Sequence, residues 1–182
     1  MRAADLLAAA SEAVARAVPS SSPGAALGVV TATGDRAAGV FGLAQTEPTQ
    51  APMQRGTWFD LASLTKVLFT TPRILDLVAR GQIGLDDKLI EAIPDLRQYD
   101  AGALERTLTF RQCLSHQTHL PAVEPLYTYG LEPATLRAFI LQRVWRAGLP
   151  VYSDINFMLL GIAIERMSGP FERAPERSVA CH

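Results

Sequence analysis

Strand-like sequence occupies one short part of this chain, and this distribution limits the folds that the chain can adopt. Residues 25–32 and 36–44 are rich in small and β-branched side chains, and a Thr-Gly-Asp turn signal separates them. Such a pattern predicts an antiparallel β-hairpin. The preceding residues 4–18 carry apolar side chains at helical spacing, which predicts an amphipathic helix. Residues 45–56 are polar and contain prolines, which is typical of a loop.

Helical patterns dominate the remaining sequence. The longest runs from about Ser63 to Arg80, and Pro72 should kink it because proline lacks a backbone N–H. Three shorter helices are predicted, over residues 109–115, 134–146 and 154–167. A two-stranded hairpin is marginal in water, so we expect other strands to complete its sheet, although residues 63–182 contain no candidates. The fold class predicted is α+β, with an antiparallel sheet flanked by helices and a helical region.

Composition and charge exclude several classes of function. The chain is 48% hydrophobic with a net charge of −1, which is typical of a soluble globular protein and gives no basic surface for nucleic acid. No apolar run approaches the roughly 18 residues that a membrane span needs. Glu12 and Arg16 interrupt the apolar N-terminus, so we expect a helix there rather than a secretion signal, and a cytoplasmic protein. The two cysteines, Cys113 and Cys181, are too few and too far apart to predict a disulfide framework or a zinc site, and no cofactor is predicted.

A Ser-x-x-Lys motif, Ser63 to Lys66, stands at the start of the longest predicted helix. A spacing of three places both side chains on one helix face, one turn apart. A serine hydroxyl becomes a useful nucleophile when a neighbouring base takes its proton, and a neutral lysine can be that base whereas an arginine cannot. Lys66 is one of only two lysines beside 15 arginines. We therefore predict that Ser63 is a nucleophile and that surrounding groups depress the pKa of Lys66 so that it can lose its proton.

A second candidate motif, Tyr152-Ser153-Asp154, follows Gly148-Leu149-Pro150 and opens the last apolar helix. A tyrosine at such a loop–helix junction can project into a cleft and share a proton with a nearby lysine. Taken alone, a tyrosine in this position is more often a packing residue.

These motifs belong to an ordered series that resembles the serine β-lactamase/penicillin-binding-protein superfamily, in particular its class C β-lactamase-related branch of esterases and D-peptidases. The resemblance covers roughly residues 20–169. Its matching stretches are Pro23-Gly24-Ala25-Ala26, Phe59-Asp60-Leu61-Ala62-Ser63-Leu64-Thr65-Lys66, Gly84-Leu85-Asp86-Asp87, Leu114-Ser115-His116-Gln117-Thr118 with Leu120-Pro121, and Tyr152-Ser153-Asp154 through Asn156-Phe157-Met158-Leu159-Leu160-Gly161.

The resemblance implies a β-lactamase/transpeptidase-like fold and an acyl-serine mechanism on a small-molecule ester, amide or lactam. It assigns acylation to Ser63 and the acid–base work to Lys66 and Tyr152. The third position of the tyrosine motif is often Asn in this superfamily, whereas this chain has Asp154, a charge unsuited to the recognition of a β-lactam amide. The glycine of the familiar His-Thr-Ser-Gly-Leu-Pro stretch is replaced by His119.

The superfamily's third motif, Lys/His-Thr-Gly on a late strand, has no counterpart in the sequence. We therefore expect a single partial domain over residues 1–182, truncated at its C-terminus and lacking the late strands. Its predicted parts are 1–62 with the first helix and hairpin, 63–169 with the two motifs, and an irregular tail over 170–182. An unpaired sheet edge would favour self-association. The alternative to a hydrolase is a catalytically inactive fragment or pseudoenzyme.

Other chemistry-bearing residues have plainer interpretations. His116 and His119 could form a metal-binding pair, but they lack a clear third ligand. Asp86 and Asp87 could be paired catalytic carboxylates, although a turn more often explains such a pair.

Overall fold

The computed structural model describes residues 1–169. The chain divides into two compact units, Met1–Asp60 and Leu61–His182, and each is described by itself. The predicted tail over residues 170–182 lies outside the described residues. That residues 1–182 make a single domain stays a prediction.

The first unit is a helix packed on a small antiparallel sheet. Helix α1 spans Ala3–Ala17, strand β1 Gly24–Val30, strand β2 Arg36–Gln45, and the two-residue strand β3 Ala51–Pro52. The sheet order is β1-β2-β3, so β1 is an edge strand among the described residues. The turn of the hairpin is tied to the helix, because the Asp35 carboxylate accepts a 2.7 Å hydrogen bond from the backbone N–H of Ala3. This carboxylate lies at the helix N-terminus, where negative charge is favourable.

Gly42 shows why glycine is needed where β2 meets the start of β1. Its φ of 66° is in the left-handed region. A Cβ atom there would stand 2.3 Å from the Pro23 carbonyl oxygen and 2.6 Å from Val18, so no other residue fits without moving the backbone. This close approach holds the entry to the hairpin in register with Gly24.

The second unit is helical in its described part. A five-residue π-helical turn, Lys66–Thr70, leads into α2, Thr71–Ala79. Helices α3, α4 and α5 span Phe110–Leu114, Pro133–Gln142 and Asp154–Ser168. Short 3₁₀ turns occupy Leu89–Glu91, Leu104–Thr107 and Leu126–Tyr129. Thr109 caps α3 as predicted, with its hydroxyl accepting a hydrogen bond from the Gln112 N–H.

Two helices differ from their predicted form. The continuous kinked helix predicted from Ser63 to Arg80 is instead the π-helical turn followed by α2, and the Thr71 N–H reaches back five residues to the Lys66 carbonyl. Proline at position 72 supplies no N–H, and the wider turn accommodates that loss. Helix α4, predicted over 134–146, ends at Gln142 because Arg143 is extended. This leaves the Trp145 side chain buried, with its backbone N–H bonded to Glu105.

The core of the second unit gathers around α5. Fully buried side chains of this helix pack against α2, α3 and the segment around the first 3₁₀ turn. Those of α5 are Ile155, Leu159, Leu160 and Ile164, and their fully buried neighbours in the core are Ile74, Leu89, Ile93, Phe110 and Leu120. Cys113 is part of this core, and burial raises the pKa of its thiol to about 12. Because α5 is packed into this core, the residues at its N-terminus, Ser153 and Asp154, have a fixed position.

The predicted fold class is confirmed, since a small antiparallel sheet and a set of helices make up an α+β protein. Within residues 1–169, every helix is too short or too polar to cross a membrane.

Candidate active site

Ser63 lies in a tight turn immediately before the π-helical segment. The N–H groups of Leu64, Thr65 and Lys66 bond to the carbonyl groups three residues earlier, at 2.8, 3.1 and 3.1 Å. Ala62 has a φ of 42°, an unusual value for a residue with a side chain, and it directly precedes the serine. Strained backbone of this kind is concentrated at functional sites.

The Lys66 amine lies beside the Ser63 hydroxyl. Its Nζ is 3.0 Å from Ser63 Oγ and 2.7 Å from Asp154 Oδ1. The amine also lies over the rings of Tyr152 and Phe157, with 5.1 and 5.7 Å to the ring centroids. Only 13% of the Lys66 side chain is exposed. The amine is therefore held by partners on several sides rather than free in solvent.

Tyr152 completes the group just before α5 begins. The centroid of its ring lies 5.1 Å from Lys66 Nζ. Hydrogen bonding of the phenol with Ser63, and then with Lys66, outweighs partial desolvation and lowers the pKa of Tyr152 from its ordinary value of 10.0. The three residues predicted as catalytic, Ser63, Lys66 and Tyr152, thus lie together in one cluster around the Lys66 amine.

The pKa of Lys66 moves in the direction opposite to the one predicted. Burial of the amine lowers it, but hydrogen bonds with Asp154 and Tyr152 and their negative charges outweigh burial, so the pKa lies above its ordinary 10.5. The prediction of a depressed pKa was wrong because it did not include the carboxylate of Asp154 as a direct partner. Lys66 is therefore an ammonium ion at neutral pH.

The loop over residues 116–122 holds the start of α5 in place. His116 Nδ1 accepts a hydrogen bond from the Ser153 N–H at 3.0 Å, and the His116 ring packs on the Tyr152 ring with 4.4 Å between centroids. The Ser153 hydroxyl donates to the Pro121 carbonyl at 2.6 Å, and the Asp154 N–H to the Ala122 carbonyl at 2.9 Å. Ser153 occupies the N-cap position of α5, but its hydroxyl bonds to the loop instead of capping the helix.

Thr118 and Asn156 form a second, buried connection between this loop and α5. The Thr118 hydroxyl donates to the side-chain carbonyl of Asn156 at 2.8 Å, and both residues are buried. A buried polar pair of this kind is costly to break, since each partner would lose its hydrogen bond without gaining water. The position of Tyr152 is therefore set by several contacts that do not involve Ser63 or Lys66.

A cleft of about 380 Å³ opens beside Ser63. Its walls are Ala62, Ser63, Thr65, Lys66, Thr70, Asp154, Phe157 and Met158. A larger hollow of about 640 Å³ lies beside α4, but none of the three predicted catalytic residues lines it. The smaller cleft is the one that can present an acyl group to Ser63.

The remaining candidates lie apart from this cluster. His119 Nε2 stands 3.6 Å from the Glu105 carboxylate, so His116 and His119 contact different groups. Asp86 is paired with Arg111 through two hydrogen bonds of 2.7 and 2.9 Å, and Asp87 accepts a hydrogen bond from the Gly84 N–H within its own turn. This agrees with the interpretation of these two carboxylates as turn residues.

Sequence reasoning missed two contributors to the site. Asp154 was noted as a departure from the usual motif but not as the partner of Lys66, although its place two residues after Tyr152 could have suggested it. His116 was noted within a matching stretch, and no signal in the sequence points to its bond with Ser153, 37 residues away.

Comparison with known proteins shows which family the chain resembles. Residues 11–180 match the model of the Beta-lactamase family. A putative D-alanyl-D-alanine carboxypeptidase of Escherichia coli K12 is 29% identical over 138 residues, which are 68% of this chain and 32% of that protein. Esterase EstB of Burkholderia gladioli is 37% identical over 79 residues, which are 43% of this chain and 20% of that protein.

A solved structure extends the similarity to the fold. The class C β-lactamase from Rhodobacter sphaeroides superposes with a TM-score of 0.64 at 25% identity, over 92% of this chain and 44% of that one. The chain spans about a third of the length of the carboxypeptidase that it matches. The fold and the serine–lysine–tyrosine cluster define a serine β-lactamase/penicillin-binding-type protein. This chain belongs to the Beta-lactamase family.

Proposed function

We propose that this chain is an acyl-serine hydrolase that acts on an ester, amide or lactam. The observation that carries the proposal is the Ser63 hydroxyl, 3.0 Å from the Lys66 amine, with the centroid of the Tyr152 ring 5.1 Å from the same amine. The names of two relatives, a carboxypeptidase and an esterase, support an acyl substrate. Catalysis in this proposal needs no cofactor, because the side chains themselves supply a nucleophile and a proton acceptor.

The proton of Ser63 passes to Tyr152 in the proposed first step. With Tyr152 ionised, the Ser63 oxygen attacks the carbonyl carbon of the substrate while its proton moves to the Tyr152 phenolate, which becomes a neutral phenol. The Lys66 ammonium stabilises the Tyr152 oxygen before the transfer, which suits an acceptor with a lowered pKa. Tyr152 then returns the proton to the leaving alcohol or amine, and water hydrolyses the resulting Ser63 ester.

The turn around Ser63 also suits the stabilisation of the oxyanion that forms on the substrate. The N–H groups of the next three residues are occupied by hydrogen bonds within the turn. The N–H of Ser63 itself lies outside that pattern, and in this proposal it donates to the oxygen of the attacked carbonyl. Such a preorganised donor contributes roughly 3–4 kcal/mol of transition-state stabilisation in serine hydrolases.

Covalent labelling tests the proposal directly. Incubation of the chain with an alkyl fluorophosphonate, and separately with p-nitrophenyl butyrate, should add one acyl or phosphonyl group to the peptide that contains Ser63, as read by mass spectrometry. Ser63→Ala should abolish the adduct. Ser115→Ala, which removes an exposed hydroxyl from the same unit, should leave it unchanged. The absence of any adduct at Ser63 would favour the alternative, an inactive fragment or pseudoenzyme.

A further inference from the structure

Asp154 places a negative charge at the cleft beside the nucleophile. Its Oδ1 accepts a 2.7 Å hydrogen bond from Lys66, and its carboxylate lines the cleft together with Ser63, Phe157 and Met158. The carboxylate is the more accessible member of the pair, with 36% of the Asp154 side chain exposed against 13% for Lys66. An acyl group that enters the cleft can therefore contact the Asp154 carboxylate.

The other groups that face Lys66 and Asp154 add no positive charge to the cleft. His116, on the loop packed against α5, is kept neutral at pH 7 because burial and the Lys66 charge lower its pKa. Tyr152 is neutral or negative. The remaining cleft walls on the π-helical turn and α5 are uncharged. Lys66 and Asp154 neutralise each other, and the Asp154 side chain is the more exposed of the two.

A carboxylate and an amide at this position recognise opposite partners. An asparagine amide can donate a hydrogen bond to a carbonyl oxygen of a substrate, whereas an ionised aspartate only accepts. A substrate carboxylate would lie against Asp154 as a like charge, and a substrate cation would lie against it as an opposite charge. Charges that face each other in this way determine specificity even where they add little to overall affinity.

We propose that Asp154 makes this cleft selective for acyl groups that carry a positive charge over neutral and anionic acyl groups of the same shape. This inference rests on the proposed function, because it names the class of acyl donor that Ser63 accepts. It assigns Asp154 a role in specificity in addition to its contact with Lys66.

A pair of matched esters isolates the effect of charge. One is a p-nitrophenyl ester whose acyl chain ends in a trimethylammonium group, and the other ends in the isosteric tert-butyl group. Acylation is followed by nitrophenolate release in the first turnover and by the mass of the Ser63 peptide. In the wild-type chain we expect the cationic ester to acylate about tenfold faster at equal low concentration. The preference should shrink between about 50 mM and 500 mM salt, since salt screens exposed charges.

Asp154→Asn should reduce the ratio of the two rates to one or below. Asp76→Asn is the matched control, because it removes the same charge from α2, ten residues beyond Lys66 and about 15 Å along the helix. This control should retain the wild-type ratio.

Equal rates for both esters in the wild-type chain, or an unchanged ratio in Asp154→Asn, overturn the charge preference alone. No Ser63 adduct with either ester contradicts the proposed function and, with it, this inference. The salt series in the wild-type chain tests the preference even if Asp154→Asn fails to fold.

Discussion

The state of the Lys66 amine determines which residue can take the proton of Ser63. Burial disfavours the ammonium, but a carboxylate at 2.7 Å and the Tyr152 oxygen favour it more strongly. The same ammonium, together with the Ser63 hydroxyl, favours the phenolate form of Tyr152. The pKa of Lys66 is raised and that of Tyr152 is lowered. Lys66 therefore keeps its proton, and an ionised Tyr152 is the group that can accept the proton of Ser63.

This arrangement predicts the pH dependence of Ser63 acylation. The rate with a neutral nitrophenyl ester should rise with pH as Tyr152 loses its proton, at a pH below the ordinary tyrosine value of 10.0. Lys66→Gln removes the cation that stabilises the phenolate, so the pKa of Tyr152 rises and the ascending limb should move to higher pH. Tyr152→Phe should lower the rate by about 100-fold or more and remove the limb.

Stopped-flow measurements from pH 6 to 10 would test this, with the Ser63→Ala rate subtracted to correct for attack by hydroxide. An ascending limb that persists in Tyr152→Phe would assign the proton transfer to another group. A shift of the limb to lower pH in Lys66→Gln would contradict the electrostatic role of the ammonium.

The sequence predicted the identity of the clustered residues better than their electrostatics. Ser63 and Lys66 are three residues apart, so helix geometry alone places them together. The position of Tyr152 was predicted through an ordered resemblance. The pKa of Lys66 depends on Asp154, 88 residues away, and such a contact exists only after folding. Local spacing cannot give the balance between burial and a distant carboxylate.

At the level of elements, the N-terminus of α5 depends on the loop that contains His116. His116 Nδ1 accepts a hydrogen bond from the Ser153 N–H, and the His116 ring packs on the Tyr152 ring. His116 has a φ of 56°, so the backbone there adopts a conformation that asparagine tolerates better than most residues. One histidine thus contacts the loop, the helix start and Tyr152.

Protonation of His116 should weaken this connection. Burial, and then the Lys66 charge, lower the pKa of His116 in the folded chain from its ordinary 6.5. A group with a lowered folded-state pKa contributes stability that is present above its unfolded value and is lost as the pH falls below it. The free energy of unfolding of the wild-type chain should therefore decrease as the pH falls from about 6.5 towards 5.

His116→Asn provides the matched variant, because its side-chain oxygen can still accept the Ser153 N–H but does not titrate in this range. Urea unfolding at pH 7.5, 6.5 and 5.5 should show the wild-type chain losing stability relative to His116→Asn as the pH falls. A constant difference between the two proteins across this range would contradict the prediction.

The elements themselves were predicted with uneven accuracy. Helix α5 was placed almost correctly, because apolar periodicity after Ser153 is strong and Gly169 follows it. The hairpin was recovered from its turn signal. The π-helical turn at Lys66–Thr70 was missed, since the propensities of its residues do not distinguish it from an α-helical turn. The early end of α4 was also missed, because it depends on the burial of Trp145 by distant residues.

At the scale of the whole molecule, the surface of the second unit is unusually apolar along the segment that carries Ser63. Leu64, Val67, Leu68 and Leu75 are between 47% and 61% exposed. Apolar side chains grouped in this way, unlike single exposed ones, favour contacts with other apolar surfaces. The opposite side of the same segment is well packed, with Ile74 and Leu77 buried.

We therefore expect the 182-residue chain to self-associate in a concentration-dependent manner. Sedimentation velocity at about 5, 20 and 80 μM should show the mean sedimentation coefficient rising with concentration.

The double variant Leu68→Lys, Leu75→Lys places two charges within the apolar group and should reduce this rise. The control Leu131→Lys, Leu149→Lys makes the same chemical change at two leucines that are 86% and 88% exposed elsewhere, and it should associate like the wild type. A wild-type chain that sediments as a monomer at every concentration would refute the expectation. Association that persists in the Leu68→Lys, Leu75→Lys variant would indicate that the chains pair through the edge of β1, whose outer side is unpaired among residues 1–169.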